Sequence, residues 1–166
     1  KRINELTDKA IGFMRDQTEA DRPFYLQVSH WAVHANLEAT AERLAKYESK
    51  TPGAQQISPG LAAMTEDLDA GFGRLMDEVE ALGLSDNTYV FYMSDNGSVP
   101  NIPGARKYER SYNHPLSRGK WDAMEGGVRV PLMVRGPGIE ANAHRSVPVS
   151  GVDLLPTILT LAGAES

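Results

Sequence analysis

Residues 61–97 read LAAMTEDLDAGFGRLMDEVEALGLSDNTYVFYMSDNG, and the parsing of this run decides the fold. Leu61, Met64, Leu68, Phe72, Leu75, Val79 and Leu82 recur every three or four residues, the repeat of one apolar face of an α-helix. Gly83 stands where a helix C-terminus favours the left-handed conformation that glycine adopts without a Cβ clash. After the short turn LSDNT, the run YVFYMS is apolar on both faces, as expected of a strand buried inside a parallel sheet. It stops abruptly at Asp95-Asn96-Gly97. Asn-Gly is a strong hairpin signal, but a hairpin needs a second strand at once. The following SVPNIPGARKYERS carries two prolines and no alternation. The other reading of Asp95 and Asn96 is a pair of hard oxygen donors suited to Ca²⁺ or Mg²⁺, with Gly97 letting the backbone turn sharply beside the ion. Local physics leaves both readings, plain turn and metal ligands, open.

Working outward, residues 3–18 predict a helix, with Ile3, Leu6, Ala10 and Met14 on one stripe, and Asp21-Arg22-Pro23 breaks it. FYLQVSH predicts a short strand ending at His30. WAVHANLEAT predicts a loop, followed by weak helix signals up to Lys50 and a Pro/Gly/Ser-rich surface loop, KTPGAQQISPG. The stretch from Gly97 to Gly127 is long, polar and without periodicity, and loops of that length in compact domains tend to carry function. VRVPLMVRGPG predicts another strand, and GVDLLPTILTLAG a short apolar helix ended by Gly163. Helices alternating with buried strands imply an α/β class, a mostly parallel sheet with helices on both faces. In such sheets ligands gather beyond the carboxyl ends of the strands. His30 to His34 and Asp95-Asn96 both lie just past a predicted strand end.

Composition narrows the function classes. The chain has 166 residues, 41% of them hydrophobic, enough for one domain with a core. With 17 basic and 22 acidic side chains the net charge is −5, and without a basic stripe nucleic acid is not the expected partner. No apolar run is long enough to span a bilayer. The sequence opens KRINELTDKA with no methionine, so the lack of a leader carries no information about export. There is no cysteine, hence no disulfide and no thiolate nucleophile within these residues.

Other candidates are weaker when taken singly. His34 in SHWAVHAN, just past a strand end, is placed to donate to an anionic oxygen, and His30 competes with it. Lys120 lies in PLSRGKWDAMEGGVRVP, between Gly119 and Trp121 and just before Glu125-Gly126-Gly127. Glycine-rich flanks allow close backbone approach, and a cation there would neutralise a substrate anion, a role equally open to Arg118. Asp67 and Asp69 fall on the strong helix and are expected to be solvated, and His114 and His144 show no metal-ligand spacing. Ser98-Val99-Pro100 and Ser146-Val147-Pro148 begin like a Ser-x-Pro nucleophile motif, but neither continues with Ser-Arg.

Four blocks in order, RPFYLQVSHWAVHAN, residues 61–97, PLSRGKWDAMEGGVRVPLMVRGPG and PVSGVDLLPTILTLAG, make the chain resemble the later part of the catalytic domain of a type I sulfatase, of the arylsulfatase A-like kind within the alkaline phosphatase superfamily. The resemblance runs over nearly all of residues 1–166, as a single segment of that domain. It implies that Asp95 and Asn96 are two calcium ligands and that His34 and Lys120 bind the substrate sulfate. The family has proline after its histidine and Gly-Gly-Lys at its lysine, where this chain has Ala35 and Arg118-Gly119-Lys120. The family's nucleophile is a formylglycine made in a Cys/Ser-x-Pro-Ser-Arg motif, and no such motif stands here. The implied reaction is sulfate-ester hydrolysis, with calcium and a formylglycine supplied by a preceding region, on a sulfated small molecule or glycan. The 166-residue chain alone is then expected to be inactive. A phosphodiester or phosphonate monoester hydrolase of the same superfamily, or a non-catalytic calcium- or anion-binding module, are the competing readings. The resemblance suggests a secreted, periplasmic or lysosomal setting. The loop from Pro100 to Ser117 is expected to shape the leaving-group pocket.

Overall fold

A computed structural model describes residues 2–34, 36–53, 58–99 and 113–164. The order of elements is α1 (Ile3–Glu19), α2 (Ala41–Glu48), α3 (Pro59–Ala81), β1 (Val90–Met93), α4 (Glu125–Val128), β2 (Leu132–Arg135) and α5 (Leu154–Leu161).

The long central helix forms as its periodicity requires. Ser58 caps α3, its Oγ accepting from the Leu61 amide at 3.2 Å, and Pro59 takes the first turn, where a missing N–H costs nothing. At the other end Gly83 has φ of 69°. The Gly83 amide donates to Glu80 O and the Leu84 amide to Val79 O, both at 2.9 Å, which is a Schellman stop. Leu84 then packs on the cluster containing Val79, so the same turn that ends the helix joins the core. That cluster, Ile11, Met14 and Val79 with Phe24, Leu26, Leu75, Met76, Leu82 and Leu84 around it, sits where α1 crosses α3. A bidentate ion pair, Arg15 to Glu78 at 2.7 Å for both bonds, closes its edge. The Arg15 guanidinium holds the Glu78 carboxyl below its ordinary range.

Two expectations are corrected. Among the described residues the sheet has two strands, and they are antiparallel: β1 pairs with β2 in the register Val90 to Arg135, Phe91 to Val134, Tyr92 to Met133 and Met93 to Leu132. The described architecture is mostly helical, and the mostly parallel sheet is not seen in it. FYLQVSH shows why. From Phe24 to His30 burial alternates strictly, every second side chain turned inward, so the strand's two-residue repeat is real. The segment forms no ladder with any described residue, and an extended segment is a strand only when another backbone lies beside it. The second correction concerns Asp67, which is buried rather than solvated. Its carboxylate accepts from the Thr40 amide at 2.8 Å and Thr40 Oγ1 at 3.1 Å, and it pairs with Arg43. It thereby anchors the start of α2 against α3. Asp69 is exposed, as expected.

The C-terminal segment folds locally. A 3-10 turn at Gly151–Asp153, closed by a Ser150–Asp153 capping box, leads into α5, and Gly163 (φ 75°) stops it with a second Schellman pair, Gly163 N to Thr160 O and Ala164 N to Leu159 O. This helix has no buried residue. Val147, Val149, Val152 and Leu155 are each more than half exposed. Among the described residues no helix is long and apolar enough to cross a membrane.

Candidate anion and metal site

β1 delivers Asp95 and Asn96 just beyond its carboxyl end. The chain does not turn back into a hairpin there, because the partner of β1 is β2, far downstream. Asp95 is exposed and makes no hydrogen bond or ion pair among the described residues, so its carboxylate is available. The Asn96 carbonyl accepts from Ser94 Oγ at 2.8 Å, which fixes the bend. No group of three or more His, Asp or Glu side chains gathers among the described residues. This pair contributes two oxygen donors and no more.

Next to this bend lies the lysine loop, and glycines set how close it comes. The Gly97 amide donates to Gly127 O at 2.9 Å, and the Lys120 amide to Ser98 O at 2.9 Å. A Cβ on Gly97 would overlap the Gly126 carbonyl, and a Cβ on Gly126 would overlap the carbonyls of Arg118 and Ser117. These are backbone-on-backbone contacts, which no rotamer change relieves. Asp95-Asn96-Gly97 and Glu125-Gly126-Gly127 are thus two halves of one packed junction. The start of α4 forms its second half, a helical turn missed within the aperiodic stretch 97–127.

His34 arrives from the other side. After the extended run to His30 the chain turns, the His34 amide donating to Trp31 O at 3.1 Å. Its ring meets Lys120 across 86 residues of sequence, with Nε2 2.9 Å from Lys120 Nζ. An ammonium donates and never accepts, so Nε2 is the acceptor and the imidazole proton sits on Nδ1. Lys120 keeps two further N–H protons. Three of the four candidate positions are therefore tied together: His34 to Lys120 by side chains, and Lys120 to the Asp95-Asn96 bend through Ser98.

The remaining candidates divide. Arg118, the alternative cation, turns its guanidinium to Asp122 at 2.9 Å. His30, the alternative histidine, is half-buried, with both ring nitrogens shielded from solvent and unpartnered among the described residues. Burial pushes its pKa below the ordinary value. Ala35 and most of the expected leaving-group loop, residues 100–112, lie outside the described residues. Asn113, which the sequence reading passed over, donates from Nδ2 to Ser98 O at 2.8 Å and to Arg118 O at 3.0 Å. A lone carboxamide in a polar loop carries no periodicity or spacing that would have singled it out.

Comparison with known proteins agrees with this arrangement. The chain is 31% identical over 171 residues to a sulfatase of Formosa agariphila, covering 96% of this chain and 30% of that protein. It is 32% identical to human arylsulfatase A, covering 93% and 28%. Among solved structures, that of Ps i-CgsB in complex with k-i-k-neocarrahexaose superposes with a TM-score of 0.85 at 32% identity, covering 99% of this chain and 34% of that one. The chain thus spans about a third or less of the length of each of these relatives. The sulfatase family model matches residues 2–164, nearly the whole sequence, and on that match this chain belongs to the sulfatase family.

Proposed function

We propose that these residues form the anion-binding and metal-binding side of a sulfuric ester hydrolase. The observation that carries this reading is the 2.9 Å contact between His34 and Lys120, formed beside the Asp95-Asn96 bend. It gathers a cation, an imidazole and two hard oxygen donors at one strand end. Lys120 donates one proton to His34 and directs its others at the ester's non-bridging oxygens, where charge builds as the bond to the leaving oxygen breaks. The same contact fixes the orientation and tautomer of His34, so that its ring lies beside the sulfuryl group or the departing oxygen. Asp95 and Asn96 fit a hard divalent cation by donor type, and calcium is the ion the family resemblance implies. When bound, such an ion supplies Lewis acidity and orients the sulfate oxygens. The nucleophile belongs to none of these residues: the chain has no cysteine, and none of its serines stands in Ser-x-Pro-Ser-Arg. A formylglycine elsewhere in the full-length protein is the expected attacking group. The substrate class is a sulfate ester on a small alcohol or saccharide, and the solved relative bound to a neocarrahexaose supports the saccharide side. A secreted, periplasmic or lysosomal setting accompanies this reading.

The test is hydrolysis of p-nitrophenyl sulfate and of sulfated oligosaccharides by the full-length protein. Chelation followed by calcium addition should abolish and restore turnover, and Lys120→Ala should lower kcat about 10²- to 10³-fold. A full-length protein that cleaves a phosphonate monoester and leaves sulfate esters untouched would transfer the assignment to the phosphoryl relatives.

A further inference from the structure

We propose that Asn113 is a positioning residue that clamps the loop carrying Lys120 to the strand end carrying Asp95 and Asn96. The inference rests on the functional reading above for what is being positioned. The clamp itself rests on geometry.

A carboxamide nitrogen has two protons. Here each has a carbonyl to meet: Ser98 O at 2.8 Å on the strand-end side, and Arg118 O at 3.0 Å, two residues before Lys120. Both partners are acceptors only, so the nitrogen must face them. An oxygen in its place would confront two carbonyls. Ser98 O also takes the Lys120 amide at 2.9 Å, so its two acceptor directions are both used, one by the lysine's own backbone and one by Asn113. Asn113 is itself held, since the turn that follows it is closed by the Leu116 amide donating to Asn113 O at 2.8 Å. Arg118, whose carbonyl receives the second bond, has a left-handed φ of 60°, which needs outside support in a residue with a Cβ. That carbonyl also lies against Gly126 in the packed junction. One side chain thus fixes the conformation of the residue that aims Lys120 and locks that residue to the strand end. Lys120 reaches His34 from this platform.

The sharpest variant is Asn113→Asp, which keeps the shape and, when ionised, has no proton to donate. Asn113→Gln keeps the protons on a longer arm, and Asn113→Ala serves if the carboxylate hinders folding. In the full-length protein two readouts are taken on each variant: p-nitrophenyl sulfate kinetics, and amide hydrogen exchange of peptides spanning 97–99 and 118–127 against those of α1 and α3. The expected result for Asn113→Asp is a kcat lower by about 10- to 100-fold with KM moved less than about threefold. Exchange in the two loop peptides should rise roughly tenfold while α1 and α3 stay protected, with Asn113→Gln recovering part of both losses. Wild-type kcat and unchanged loop exchange in Asn113→Asp and Asn113→Ala would overturn the clamp. So would faster exchange in α1 and α3 together with the loops, which would make Asn113 a general stability residue. Should the wild-type full-length protein hydrolyse no sulfate ester, the functional reading fails, and the exchange comparison alone decides the clamp.

Discussion

The ring of His34 owes its usefulness to one neighbour. With Lys120 donating to Nε2 across 2.9 Å, the imidazole is fixed in the Nδ1–H form before any substrate arrives. Lys120→Arg keeps the charge but replaces a compact ammonium by a planar fork. We expect it to lose most of the activity that Lys120→Ala loses, measured as kcat on p-nitrophenyl sulfate in the full-length protein. His30 gives a different prediction. Desolvation depresses its pKa from the ordinary 6.5, so just below that value the unfolded chain takes up a proton that the folded one refuses. Stability is then greatest above pH 6.5 and falls as the pH is lowered from there toward the depressed folded value. Thermal unfolding of the full-length protein across this window should show the loss, and His30→Phe should flatten it. A His30→Phe profile identical to wild type would sink the prediction. At this scale the sequence was legible for residue type: His34, Lys120, Asp95 and Asn96 all attracted notice. It was silent on Asn113 and wrong on Asp67, because burial and hydrogen-bond partners depend on which distant residue lies opposite.

Elements carry their own signals. The helices α1, α3 and α5 follow from stripes and caps written in contiguous residues, and each was expected within a residue or so of where it lies. Met64 on α3 is fully buried. Met64→Ala should cost about 2–5 kcal/mol in denaturant unfolding, the range for emptying a well-packed methionine site. The junction of glycines is a property of two elements together. Gly126→Ala adds a methyl where the carbonyls of Arg118 and Ser117 already sit, so the lysine loop must move. We expect a lower melting temperature and loss of activity together, and weaker calcium-dependent stabilisation in thermal shift, since Gly127 O is the acceptor for the Gly97 amide beside Asn96. A Gly126→Ala protein with wild-type calcium response would refute this coupling. The parallel sheet was the failure at this scale. The apolar run of β1 says that both its faces are covered and nothing about the direction of its neighbour.

For the whole molecule, the balance of apolar surface matters most. Val147, Val149, Val152 and Leu155 stand more than half exposed, on and before a helix with no buried residue. The extended run from Phe24 to His30 has no ladder partner among the described residues. Unpaired backbone edges and contiguous apolar side chains drive association. The 166-residue chain prepared alone should self-associate and should turn over no aryl sulfate above a Lys120→Ala control. Light scattering and that assay check both, and a monodisperse, cooperatively melting preparation would contradict the first.

What the sequence by itself determined is what acts over a few residues. Helix periodicity, the Ser58 and Gly83 caps, the apolar β1 run and the chemistry of Asp95, Asn96, His34 and Lys120 all depend on interactions within about one helical turn or on side-chain type alone. Tertiary structure decided the antiparallel partner of β1, the burial of Asp67, the meeting of His34 with Lys120 across 86 residues, and the role of three glycines as spacers between backbones. These depend on where the chain returns after long excursions. Nothing local encodes that path, because many distant pairings satisfy the same stretch equally well until the whole chain packs.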